Sequence, residues 1–76
     1  MKVVYITGCL GFIGAYVTRL CLNKGWYVKG VDKITYAANP DLLKEFQNFP
    51  NFSFVEEDIN DLKFLYDCDY VINVAA

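Results

Sequence analysis

Three glycines, Gly8, Gly11 and Gly14, recur at every third position of Thr7-Gly8-Cys9-Leu10-Gly11-Phe12-Ile13-Gly14. Glycine at that spacing, between a strand and a helix, suits the pyrophosphate of a dinucleotide. Gly8 permits the tight turn out of the strand, Gly11 lets the backbone approach the pyrophosphate, and Gly14 lets the helix pack close to the sheet. The start of that helix adds free N–H groups and a positive dipole end, both of which favour phosphate. Eighteen residues beyond Gly14 comes Asp32, a carboxylate at the end of a second candidate strand. There it can accept hydrogen bonds from adenosine ribose hydroxyls and repel a 2′-phosphate, which favours NAD over NADP. Lys33 beside it is a cation able to offset part of such a phosphate. Turns and tight packing also use glycine, and a strand-end carboxylate is often merely solvated. The strand before the triplet and the helix after it favour the dinucleotide reading.

The elements that must hold these residues are legible in outline. Val3-Val4-Tyr5-Ile6-Thr7 is β-branched and aromatic without polar alternation, the pattern of a strand buried on both faces of a parallel sheet. From Phe12 to Lys24, Ile13, Val17, Leu20 and Cys21 recur at helical spacing, and Gly25 is a suitable stop. Trp26 to Val31 reads as the second strand, ending at Asp32, and Lys33 to Pro40 as a loop. Asp41 to Phe46 reads as a short helix, with Asn39 or Asp41 as its cap and Pro40 at an early position. Phe52 to Glu56 forms a third strand, Asn60-Asp61 caps a helical turn over Leu62 to Leu65, and Tyr70 to Ala76 forms a fourth strand. Alternation of this kind predicts an α/β fold: a Rossmann-type parallel sheet of about four strands with right-handed crossover helices.

Composition narrows the class. The chain has 76 residues, 55% of them hydrophobic, so it can form one domain at most, and it buries a modest share of its surface. The last apolar strand reaches the final residue, leaving one side of the sheet without a cover. Residues 1–76 are therefore expected to be a partial NAD-binding domain. Residues 1–33 carry five basic side chains against one acidic, and residues 34–76 carry two against eight. No basic stripe with interleaved aromatics appears, so nucleic acid is not an expected partner. The acidic run Glu56-Glu57-Asp58 reads first as a solvated strand end. Cys9, Cys21 and Cys68 are odd in number and lack metal-ligand spacing, and there is no His, so neither a disulfide scaffold nor a metal site is expected. The short apolar start suggests neither a signal peptide nor a membrane span, and cytoplasmic location is the default.

The motif Thr7–Gly14 resembles the N-terminus of the extended short-chain dehydrogenase/reductase family. Asp32-Lys33-Ile34-Thr35-Tyr36-Ala37-Ala38-Asn39 is similar to the corresponding stretch of the dTDP-glucose 4,6-dehydratases within it. Asp58-Ile59 and Asn73-Val74-Ala75-Ala76 stand where that family has an Asp-Ile pair and a His-x-Ala-Ala element. Two positions depart: Asn73 replaces the usual His, and Ala38 a common Gly. The resemblance implies that Phe12 and Ile13 bind pyrophosphate through their N–H groups, and that Asp32, Lys33, Ile34 and Thr35 line the ribose pocket. It implies that Asp58 and Ile59 flank adenine, and that Val74, Ala75 and Ala76 pass beneath the ribose and pyrophosphate.

The resemblance further implies an NAD-dependent lyase acting on a nucleotide-sugar. Such an enzyme oxidises C4, loses water across C5–C6 and returns the hydride to C6. A nucleotide-sugar 4-epimerase of the same superfamily and a non-catalytic NAD-binding module are the alternatives. The family's catalytic Tyr-x-x-x-Lys pair is absent, since no Lys follows any of the six tyrosines at that spacing. Residues 1–76 are thus expected to hold the cofactor and to be inactive alone, with catalytic and sugar-binding parts elsewhere. A homodimer is expected for the full-length enzyme.

Overall fold

A computed structural model describes residues 1–33, 40–56 and 68–74. Within them the chain runs β1 (Val3–Thr7), α1 (Phe12–Asn23), β2 (Tyr27–Asp32), α2 (Pro40–Gln47), β3 (Phe52–Glu56) and β4 (Tyr70–Asn73). The strands form one sheet in the order β3-β2-β1-β4. Every pairing is parallel, with Val4 beside Val28 and Tyr70, and Val28 beside Phe52. The order reverses direction between β1 and β4, and in open sheets of this class ligands bind at the strands' carboxyl ends beside such a switch point. This is the α/β parallel architecture that the strand–helix alternation predicts.

The core lies between the sheet and the helices. Val4, Ile6, Val28 and Phe52 from the strands pack with Ala15, Cys21 and Leu22 of α1 and Leu43 and Phe46 of α2. On the other side of the sheet, register places Tyr5, Lys29, Ser53 and Val71 in one row. That row is only partly covered, with Val71 exposed and the Lys29 ammonium 5.3 Å from the centre of the Tyr5 ring. β1 is therefore fully buried on the helix side and half-buried on the other.

The predicted helix face differs from the observed one. Gly14, Ala15, Thr18, Cys21 and Leu22 of α1 are buried, whereas Ile13 and Leu20 are exposed. Small residues face the sheet because α1 approaches the turn before it closely, as shown below. α1 ends as expected at Gly25, which adopts φ +82°. The Gly25 N–H donates to the Leu22 carbonyl at 3.0 Å and the Trp26 N–H to that of Cys21 at 3.1 Å, the paired bonds of a Schellman stop. Trp26 belongs to that stop, so β2 begins one residue later than expected. α2 opens at Pro40, which needs no N–H partner there, and carries Asp41 in its first turn.

Two side chains tie the strand starts together. The Asp69 carboxylate accepts from the Val3 N–H at 2.7 Å, while the Asp69 N–H donates to the Val3 carbonyl at 2.7 Å. The Asn51 amide donates to the carbonyls of Trp26 at 2.7 Å and Leu22 at 3.3 Å. No helix among the described residues is long and apolar enough to cross a membrane.

Candidate functional site

β1 ends at Thr7, and the chain turns at Gly8, whose φ of +74° only glycine adopts readily. The turn is held from β2. The Gly8 N–H donates to the Val31 carbonyl at 2.7 Å and the Cys9 N–H to the same oxygen at 3.3 Å. The Leu10 N–H donates to Oδ2 of Asp32 at 2.9 Å in a buried bond. The Gly11 N–H then closes the turn on the Gly8 carbonyl at 3.0 Å. Four successive N–H groups are consumed inside the protein.

The next three are not. α1 begins at Phe12, and its first backbone bond runs from the Ala15 N–H to the Gly11 carbonyl at 2.8 Å. Gly11 is the N-cap and offers no side-chain acceptor. The N–H groups of Phe12, Ile13 and Gly14 thus meet no acceptor among the described residues, at the positive end of a helix of 12 residues. An anion seated there would receive several N–H donors at once.

Gly14 has a purpose other than helix-to-sheet clearance. A Cβ at that position would lie 1.9 Å from the Gly8 carbonyl oxygen and 2.7 Å from its carbon. The helix therefore rests on the backbone of its own preceding turn. A Cβ on Gly11 would meet the same oxygen at 3.3 Å, a tight contact on a backbone that any residue adopts.

Asp32 stands at the end of β2 and is 7% exposed, with Lys33 exposed beside it. Cys9 is fully buried near it, and burial first, then the Asp32 carboxylate, push its thiol up to about 12. The protonated thiol packs as an apolar group and is no nucleophile. At the end of β4, the Thr7 hydroxyl donates to Oδ1 of Asn73 at 2.6 Å, and the Val74 N–H donates to the Thr7 carbonyl at 3.2 Å. The Asn73 amide thus serves as the acceptor at the end of β4. Beside the turn, a cleft of about 480 Å³ opens between Leu10, Gly11, Phe12, Ile13 and Arg19 on one wall and Leu42 of α2 on the other.

Of the residues singled out from sequence, Gly8, Gly11, Phe12, Ile13, Gly14, Asp32, Lys33 and Val74 all fall at the carboxyl edge of the sheet. Ile34, Thr35, Asp58, Ile59, Ala75 and Ala76 lie outside the described residues, as do Ala38 and the helical turn expected at Leu62 to Leu65. Sequence reasoning missed the bonds of Leu10 to Asp32 and of Thr7 to Asn73, neither of which leaves a local signature. Among the described residues no cluster of His, Cys, Asp or Glu could hold a metal ion. The edge can bind and orient an anionic ligand.

The family model described as GDP-mannose 4,6 dehydratase matches residues 5–76. The chain is 37% identical over 83 residues to a dTDP-glucose 4,6-dehydratase of Haemophilus influenzae, covering 100% of this chain and 25% of that protein. It is likewise 37% identical to the dTDP-glucose 4,6-dehydratase of Neisseria meningitidis, of which it covers 23%. Among solved structures, a dTDP-glucose 4,6-dehydratase from Bacillus anthracis in complex with NAD superposes with a TM-score of 0.84 at 27% identity, over 100% of this chain and 27% of that one. The chain spans about a quarter of the length of these relatives.

Proposed function

The chain belongs to the GDP-mannose 4,6 dehydratase family, and from that premise we propose that it is the NAD-binding part of a nucleotide-sugar 4,6-dehydratase. The observation that carries this reading is the row of open N–H groups at Phe12, Ile13 and Gly14, beside Asp32. The site suits NAD on its own geometry: a glycine N-cap admits the pyrophosphate, and the open N–H groups bind it. Asp32 accepts from the adenosine ribose and disfavours a 2′-phosphate. From the family resemblance we assign Lys33, Ile34 and Thr35 to ribose binding, Asp58 and Ile59 to adenine binding, and Val74, Ala75 and Ala76 to the ribose and pyrophosphate. When bound, NAD supplies hydride acceptance from C4 and hydride return to C6 of the sugar.

The residues of this chain bind and orient, and the proton transfers that remove water across C5–C6 belong to groups outside residues 1–76. The same reading makes the full-length enzyme a cytoplasmic homodimer, paired through segments other than these.

Calorimetric titration tests the cofactor assignment. Saturable NAD binding, weaker NADP binding and loss of both in Gly11→Val are expected. Equal binding of NAD and NADP would remove Asp32 from the ribose site, and no binding by folded protein would remove the assignment altogether. For the full-length enzyme, a nucleotide-hexose should yield the alkali-absorbing 4-keto-6-deoxy product, whereas an epimerase would yield none.

A further inference from the structure

We propose that Asp32 is also a positioning residue, which sets the glycine turn through the Leu10 N–H before any ligand arrives. The inference deepens the NAD reading and rests on it.

The argument starts from how the turn is held. Beyond Thr7 the chain leaves the sheet: the Gly8 N–H makes the last bond of the β1–β2 ladder, and the N–H groups of Cys9 and Leu10 lie past it. All three still bond to the last two residues of β2. Gly8 and Cys9 share the Val31 carbonyl, and Leu10 takes the Asp32 carboxylate at 2.9 Å. The side chain replaces a backbone carbonyl one step beyond the last backbone acceptor used on β2. Leu10 is itself 3% exposed, so the carboxylate satisfies this N–H at a place shielded from water. A charged acceptor makes the shorter and stronger bond.

What the bond positions is the anion cradle. Leu10 precedes Gly11, and Gly11 is the N-cap whose carbonyl starts α1. The direction of the Phe12 and Ile13 N–H groups follows from where Leu10 and Gly11 are pinned. Asp32 thus acts on the pyrophosphate through two residues of backbone, independently of ribose. A substitution at position 32 intended to admit a 2′-phosphate would loosen the cradle for every dinucleotide.

The test separates the ribose contact from the turn contact. ADP and 2′,3′-dideoxy-ADP are titrated into the wild-type protein, Asp32→Ala and Asp32→Asn, and amide exchange at Leu10 is followed without nucleotide. In Asp32→Ala, exchange at Leu10 should quicken, and both nucleotides should bind about tenfold more weakly or worse. Asp32→Asn should keep slow exchange and wild-type affinity for the dideoxy nucleotide, because an amide oxygen accepts the same bond. If Asp32→Ala weakens ADP alone, with dideoxy-ADP and Leu10 exchange unchanged, Asp32 serves ribose only and the proposal is overturned. Failure of Asp32→Asn to restore either readout overturns it too, including where Asp32→Ala does not fold. Absence of ADP binding by wild type would sink the NAD reading while the exchange comparison still decides the turn.

Discussion

The sharpest consequence of the site geometry concerns two glycines that a motif treats alike. In Gly14→Ala the new methyl group would sit 1.9 Å from the Gly8 carbonyl oxygen, 2.7 Å from its carbon and 3.1 Å from the Cys9 Cα, all backbone atoms. The oxygen must retreat by more than an ångström, and Gly8 and Cys9 are the residues whose N–H groups bind the Val31 carbonyl. Overpacking costs about 1–3 kcal/mol. Losing two such hydrogen bonds adds about 1 kcal/mol each. The loss of about 3–5 kcal/mol is a large share of the roughly 4–11 kcal/mol that a domain of this size holds. Gly11→Ala meets one oxygen at 3.3 Å with an ordinary φ of −77°. It should cost about 1 kcal/mol, chiefly because alanine is a poor N-cap. Thermal unfolding followed by circular dichroism, without nucleotide, reads the difference. At about 4–8 °C per kcal/mol, Gly14→Ala should fall by about 12 °C or more and Gly11→Ala by less than about 8 °C. Similar melting of the two variants would refute the close approach of α1 to its turn.

Two further outcomes follow from buried groups. The Thr18 hydroxyl is fully buried with no hydrogen-bond partner among the described residues, so Thr18→Val should be neutral or stabilising by about 1 kcal/mol, since it removes an unsatisfied group at constant shape; a loss above about 1 kcal/mol in the same melt would show that the hydroxyl is satisfied. Cys9 carries a thiol raised from 9.0 to about 12 by burial and then by Asp32, so its protonated form is favoured by folding. The stability this lends is complete below pH 9 and is lost as pH rises toward 12. Thiol titration at pH 8 should label Cys9 only at the rate of unfolding, and rapid labelling in folded protein would contradict the burial.

Much of the fold was legible because the strands are short apolar runs bounded by turn residues. β1 and β3 fall where the β-branched and aromatic pattern puts them, and Gly25 ends α1 by adopting the left-handed backbone expected of it. β2 was read one residue too long because Trp26, an aromatic with strand character, is used to complete the helix stop. Gly30 within β2 gave no warning of its purpose: a Cβ there would meet the Cys9 sulfur at 2.8 Å and the Phe52 ring at 2.9 Å. Asn51 and Asp69 look like ordinary turn residues, and only the tertiary fold shows which carbonyls and N–H groups they satisfy.

The site was legible in its location and not in its internal mechanics. Glycine spacing and a strand-end carboxylate both point outward, toward a ligand, because those are the tasks a local motif can express. The structure adds inward tasks for Gly14 and Asp32 that depend on atoms 6 and 22 residues away. The misread face of α1 has the same origin. Ile13, Val17, Leu20 and Cys21 form one credible apolar stripe, and Gly14, Ala15, Thr18, Cys21 and Leu22 form another. Periodicity alone ranks the bulkier stripe first. Contact with the Gly8 carbonyl brings the helix so near the turn and sheet that only hydrogen, methyl and hydroxyl-sized side chains fit beneath its first turns, and the bulkier residues are turned outward. The spacing of the glycines therefore selects the buried face of the helix as well as opening the cradle at its start.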